Sequence, residues 1–89
     1  AEKLVQEKRL ALEAERQKLI AVEQARDKVL NHHKDKLTQL REALDTGTTS
    51  GEVQQMKRYL EVVKERLVEE EKKVAAQQAA VKSAEAALE

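Results

Sequence analysis

The sequence of 89 residues has no cysteine, proline, tryptophan or phenylalanine, and only two glycines. Without cysteine the chain can form no disulfide and has no thiol chemistry, which suits a reducing compartment. Tyr59 is the single aromatic residue, whereas a globular core is normally built around several large aromatic side chains. The lack of proline and the scarcity of glycine argue against any fold that needs many turns.

Charge of one sign and long apolar runs are also missing. The 17 basic and 17 acidic residues give a net charge of zero, and neither half of the chain is a basic arm. A dedicated surface for nucleic acid or anionic membrane is therefore not expected. No apolar run approaches the roughly 20 residues of a membrane span, and no signal-peptide pattern is present. Because the chain begins at Ala1 rather than Met, we expect a fragment of a longer protein.

What is present is the composition of long helices: 38% of the residues are charged, and Ala, Glu, Lys, Leu and Arg dominate. One segment interrupts this character, at residues 45–51, where Gly47 can adopt the left-handed conformation that ends a helix. Thr49 and Glu52 have the spacing of a capping box, which starts a helix. The sequence predicts one domain over residues 1–89, with helices at about 2–45 and 51–88 and a loop at about 46–50.

Apolar residues recur at alternating steps of three and four on both sides of this break, as in a coiled coil. In the second helix they form a regular seam from Val53 to Leu88. The seam of the first helix runs from Val5 to Leu44 and contains an extra four-residue step at Val29, His33 and Leu37, a stutter that locally unwinds a supercoil. The short loop makes the helices antiparallel neighbours. The predicted fold is all-α, a monomeric two-helix antiparallel coiled-coil hairpin.

Aligning the two seams places Leu44 opposite Val53, and Val22 opposite Val74. In this register Arg26 of the first seam falls opposite Glu70 of the second. We expect these two residues to form an ion pair that sets the register, since a lone charge in the seam is costly.

No arrangement of residues predicts catalysis. Adjacent helical residues point about 100° apart, so His32 and His33 cannot chelate one ion together, and no phosphate-binding loop is present. We expect no enzyme activity, no cofactor and no metal.

A few apolar side chains lie beside the seam, where they either cover it or form a stripe for a partner: Leu10, Ile20, Leu30, Val62 and Val68. Tyr59 is least explained by packing, and tyrosine is enriched at interaction hot spots.

Four segments together resemble the YscO/SctO family of bacterial type III secretion stalk proteins, which is related to the flagellar protein FliJ, and they are most similar to its chlamydial-type members. They are residues 26–33, 39–50, 56–63 and 69–74. The resemblance spans nearly the whole chain. The loop sequence Asp-Thr-Gly-Thr-Thr-Ser at 45–50 is the most specific part, because a heptad repeat does not produce it.

The resemblance implies a non-enzymatic stalk in the bacterial cytoplasm, peripheral to the inner-membrane export apparatus. Its implied partners are the hexameric secretion ATPase, the cytoplasmic domain of the export gate and, in some members, secretion chaperones. Positions that contact the gate in flagellar members correspond to residues of both helices here: Val29, His32, Lys36, Tyr59 and Val63. Only His32 and Tyr59 of these keep an aromatic ring.

Two other classes of protein fit the coiled-coil pattern. One is a structural or tethering coiled-coil segment that has no role in secretion. The other is a tRNA-binding arm like that of seryl-tRNA synthetase, which would need a basic face for phosphate contacts. The balanced charge opposes the second alternative.

Overall fold

The computed structural model, which describes residues 2–88, consists of two long helices in one antiparallel hairpin. Helix α1 spans Glu2–Thr46 and helix α2 spans Ser50–Ala86. The hairpin is a rod of 69 × 15 × 13 Å. The predicted all-α fold is confirmed, and the helix boundaries lie within two residues of the predicted ones.

The reversal between the helices is made by three residues, 47–49. Gly47 has a φ of +87°, a left-handed conformation that side chains with a Cβ rarely adopt. No neighbouring atom lies within 4 Å of where its Cβ would be, so backbone conformation rather than space favours glycine here. Thr46 closes the last turn of α1, its hydroxyl donating to the carbonyl of Glu42 at 3.0 Å.

Helix α2 begins with the cap that the sequence predicts, although only one half of the capping box forms. The Thr49 hydroxyl accepts a hydrogen bond from the Glu52 backbone N–H at 3.2 Å. The Glu52 carboxylate does not return to the Thr49 backbone but accepts from the Thr48 hydroxyl. The loop is thus held at both of its ends by threonine side chains.

The core is a single apolar seam between the helices. Its buried members are few, because two helices bury only one stripe each: Leu12, Leu40, Leu60, Val63, Val74 and Val81. All six lie at seam positions that the spacing of three and four predicts. Of the neighbouring seam residues, Val22, Val29 and Leu67 are half-buried.

The seam opens at both ends of α1. Leu44, predicted to pack on Val53, is 54% exposed, because only loop residues follow it at the tip. Val5, at the other end of the seam of α1, is 42% exposed. The packed part of the seam therefore begins at Leu12 and ends at Leu40 on this helix.

The expected ion pair between Arg26 and Glu70 does not form in the structure. The Arg26 guanidinium lies 3.0 Å from the carboxylate of Asp27, and the Glu70 carboxylate lies 3.5 Å from the ammonium of Lys73. Both residues do occupy the seam, with side-chain exposures of 30% and 12%. Each finds an opposite charge on its own helix, which a long side chain reaches without crossing the seam.

A hydrogen-bonded contact between Gln77 and Glu15 does cross the seam. The Gln77 side-chain amide donates to the Glu15 backbone carbonyl at 2.8 Å and also to its carboxylate. The hydrogen bond from Gln77 holds the pKa of Glu15 below its ordinary value; partial burial opposes this shift, and the nearby Lys18 ammonium reinforces it. The polar side chain at position 77 is thus satisfied within the seam, and it favours one register.

The antiparallel register predicts that residues 22 and 74 are close within one chain. The variant Val22→Cys/Val74→Cys should form a disulfide within one chain on oxidation, in a product that runs as a monomer. No native cysteine competes. The pair Val22→Cys/Val53→Cys is the control, because the two positions lie about 30 Å apart along the rod. Cross-linking only between chains would contradict the monomeric hairpin.

Arg26 and Glu70 should behave as independent residues. A double-mutant cycle with Arg26→Leu and Glu70→Leu should give a coupling below about 0.5 kcal/mol in the free energy of unfolding. Glu70→Leu alone should stabilise the hairpin, because it replaces a poorly exposed carboxylate with an apolar side chain in the seam. A coupling well above about 1 kcal/mol would mean that the two charges meet across the seam in solution.

The contact between Gln77 and Glu15 should make stability depend on pH. Because the folded state lowers the pKa of Glu15, its contribution is present at neutral pH and is lost as the pH falls through the folded-state value. Gln77→Ala should lower the melting temperature most at neutral pH, and by less in acid. Gln78→Ala, at the exposed neighbouring glutamine, is the control and should show no such dependence. An equal loss for Gln77→Ala at both pH values would contradict the linkage.

Candidate partner-binding face

His32 of α1 and Tyr59 of α2 meet across the hairpin on its surface. The His32 Nε2 atom lies 2.7 Å from the Tyr59 hydroxyl oxygen, a hydrogen bond in which the imidazole tautomer decides which group donates. The two rings are edge-to-face, with centroids 5.7 Å apart and planes at 85°. Such pairs contribute about 0.5–1.5 kcal/mol beyond area burial. Both residues are expected at this face from the sequence, but nothing in the sequence predicts a direct bond between them.

Lys36, one turn after His32 on α1, packs on the same tyrosine. Its ammonium lies 5.5 Å from the centroid of the Tyr59 ring and donates a hydrogen bond to the Gln39 side chain at 3.2 Å. A cation over an aromatic face is attracted by the ring quadrupole. Two contacts from α1 thus hold the ring of Tyr59, which remains 45% exposed.

The ring of Tyr59 separates two open grooves between the helices. The larger one, which we call the Tyr59 groove, has a volume of about 450 Å³. It is lined by Lys28, Val29, His32, Tyr59, Val62, Val63 and Arg66. The smaller one, the tip groove, has a volume of about 190 Å³ and lies towards the loop. It is lined by Lys36, Gln39, Gln55, Met56 and Tyr59.

All five residues that the sequence indicates as partner contacts line one of these grooves, but they differ in accessibility. His32 and Tyr59 are exposed, and Val29 and Lys36 are half-buried. Val63 is only 5% exposed, so it forms the floor of the Tyr59 groove and belongs mainly to the core. A partner that enters this groove reaches Tyr59 and His32 first.

Three further residues, Lys28, Val62 and Arg66, lie at this site although the sequence did not place them there. Val62 was expected only as part of a flanking stripe, yet it is 61% exposed and lies beside Tyr59 in the groove. Helical spacing carries the missing signal: Val62 is three residues after Tyr59, and Lys28 is four residues before His32. Residues so spaced are neighbours on a helix surface.

The arrangement is suited to binding. Within residues 2–88 no group of His, Asp and Glu side chains is placed to hold a metal ion. Across the same residues, neither helix has the uninterrupted apolar length that crossing a bilayer requires. An exposed aromatic ring between two grooves, on a narrow helical hairpin, is a surface of the kind that proteins use for contacts with other macromolecules.

Comparison with models of protein families identifies the family to which this hairpin belongs. The model of the YscO-like protein family matches residues 1–89. The chain belongs to the YscO-like family, the type III secretion family that its tip sequence resembles. The comparison with curated proteins gives no match.

Two solved chlamydial structures are similar to the whole hairpin. A putative YscO homolog from Chlamydia trachomatis, CT670, is 50% identical, with a TM-score of 0.91 over 98% of this chain. The chain spans 54% of that protein's length. The second structure is the complex of CdsV and CdsO from Chlamydia pneumoniae, whose matching chain is 50% identical. Its TM-score is 0.87 over 92% of this chain and 95% of that chain.

Proposed function

We propose that this chain is a non-enzymatic stalk protein of a bacterial type III secretion system, working on the cytoplasmic side of the export apparatus. In this role the rod connects the secretion ATPase with the export gate. As in some members of the family, it also binds secretion chaperones. The face around Tyr59 and His32 is the proposed contact with the cytoplasmic domain of the gate. This proposal combines membership of the YscO-like family with the position of the exposed Tyr59 ring.

One observation carries the proposal. In the Chlamydia pneumoniae structure, a chain of nearly the same length as this one, 50% identical to it, is described in a complex of CdsV and CdsO. Residues that correspond to this hairpin make up 95% of that chain. The counterpart of CdsV is therefore the first partner to test with this chain.

Tyr59 is the residue from which we expect most of the binding energy at this face. Its ring is held from α1 by His32 and Lys36 while almost half of its surface stays accessible, so it is presented to a partner with little freedom left to lose. Its neighbours in the Tyr59 groove supply an apolar surround. An ordered aromatic side chain in such a setting is typical of interface hot spots.

Tyr59→Ala should weaken binding of the chain to the counterpart of CdsV by about thirtyfold, which corresponds to about 2 kcal/mol. The measurement is a titration by isothermal calorimetry, with circular dichroism to record the melting temperature of each variant. The melting temperature should fall by only a few degrees, because the variant loses the surface contacts with His32 and Lys36 but leaves the apolar seam intact. In cells that carry the full secretion system, the same variant should block secretion.

Two further variants show how much of the affinity depends on the hydrogen bond of Tyr59 and whether the loss is specific to this face. Tyr59→Phe keeps the ring but removes the hydrogen bond to His32, so its affinity should lie between those of wild type and Tyr59→Ala. Leu10→Ala removes a 71% exposed leucine far from the groove, and it should bind like wild type.

If Tyr59→Ala binds normally, or binds weakly only because the hairpin has unfolded, Tyr59 is a packing residue and the contact lies elsewhere. Failure of wild type to bind any export-apparatus component would favour a structural coiled coil with no role in secretion.

A further inference from the structure

The charged side chains that line the two grooves are all cationic. Lys28 and Arg66 line the Tyr59 groove, Lys36 lines the tip groove, and no carboxylate from the described part of the chain lines either one. The chain as a whole is neutral, with 17 basic and 17 acidic residues, so this concentration of cations is a local feature. Three cations on one side of the rod produce a positive potential that attracts acidic groups.

These cations are not neutralised by the hairpin itself. Within residues 2–88, no carboxylate lies within salt-bridge distance of Lys28, Lys36 or Arg66. Carboxylates do occur farther out on α2, where Glu65 and Glu69 border Arg66. The Glu69 carboxylate lies 3.6 Å from the ammonium of Lys72. Glu65 and Glu69 thus line a neighbouring depression that shares Arg66 with the Tyr59 groove, and neither of them lines the groove itself.

Between the cations the groove is apolar. Val63 forms its floor, Val29 its α1 wall and Val62 its exposed rim, and Tyr59 closes the end nearest the loop. A volume of about 450 Å³ is large enough to admit a whole side chain between the two helices. An apolar centre with a charged rim is the general layout of a protein–protein contact.

We infer that the Tyr59 groove receives an acidic segment of the partner protein, which seats an aliphatic side chain against Val29, Val62 and Tyr59 and places carboxylates beside Lys28 and Arg66. Lys36 extends the positive rim past Tyr59 towards the tip. This inference rests on the proposed function and specifies the chemistry of the partner surface at the same face. Complementary charge at such a rim accelerates association and selects the partner.

The experiment reverses the two cations of the groove in the full chain, with Lys28→Glu/Arg66→Glu, and compares this variant with Lys34→Glu/Lys64→Glu. The control changes the net charge equally, also has one substitution on each helix, and alters exposed lysines that do not line the groove. Affinity for the counterpart of CdsV is measured by calorimetry at low and at high salt. Circular dichroism verifies that both variants remain helical.

The groove variant should bind at least about tenfold more weakly than wild type at low salt, while the control should stay within about twofold. Raising the salt should weaken wild-type binding and should have much less effect on the groove variant. A second pair tests the apolar centre: Val62→Ser should weaken binding severalfold. Val68→Ser, at another exposed valine of α2 outside the Tyr59 groove, should not.

The outcomes distinguish this inference from the proposed function. If wild type binds, but the groove and control variants lose affinity equally, the proposed function stands. The inference that the partner contributes an acidic segment is then wrong. If wild type fails to bind, the proposed function is wrong, and the inference fails with it. Binding of wild type to phosphatidylglycerol vesicles through Lys28 and Arg66, more tightly than to the protein partner, would overturn the inference in favour of a lipid surface.

Discussion

The rest of the structure depends on a single apolar seam. A rod only 15 × 13 Å in cross-section has no interior apart from the line where its two helices touch, and six of the described residues are buried along that line. Every other described side chain lies at the surface or one layer from it. A concave site enclosed on several sides cannot be built on such a scaffold. Only side chains that straddle the two helices can join both of them in one surface, as His32 and Tyr59 do.

The fold could be predicted almost completely from the sequence, because its determinants are local and periodic. The steps of three and four from Val53 to Val81 specify which face of α2 is buried, and Gly47 and Thr49 specify where the chain reverses. Each of these signals acts within a few residues. The exceptions are Leu44 and Val5, which occupy seam positions and are nevertheless exposed. Periodicity marks the face of a helix that can be buried but not how deeply each position on it is buried.

Side-chain pairing could be predicted less well, because a position in the seam does not determine what a long polar side chain bonds. Arg26 and Glu70 occupy the seam as expected, yet each takes a charge from its own helix. Gln77, by contrast, bonds across the seam to Glu15. For the candidate site, too, the residues could be predicted but their contacts could not. The family resemblance indicated His32 and Tyr59, whereas the hydrogen bond between them and the cations around them became visible only with the two helices in place.

The bond between His32 and Tyr59 joins the two helices, so the groove beside it exists in one alignment of the hairpin and in no other. Sliding one helix by a single turn would carry Tyr59 about 5 Å away from His32 and would separate Val29 from Val62. A ligand that occupies the groove therefore binds the native alignment alone. By mass action it stabilises that alignment against slipped and unfolded chains, by about 2.7 kcal/mol at a concentration one hundred times the dissociation constant. For so thin a rod, a partner bound in the groove would help to keep the two helices in register.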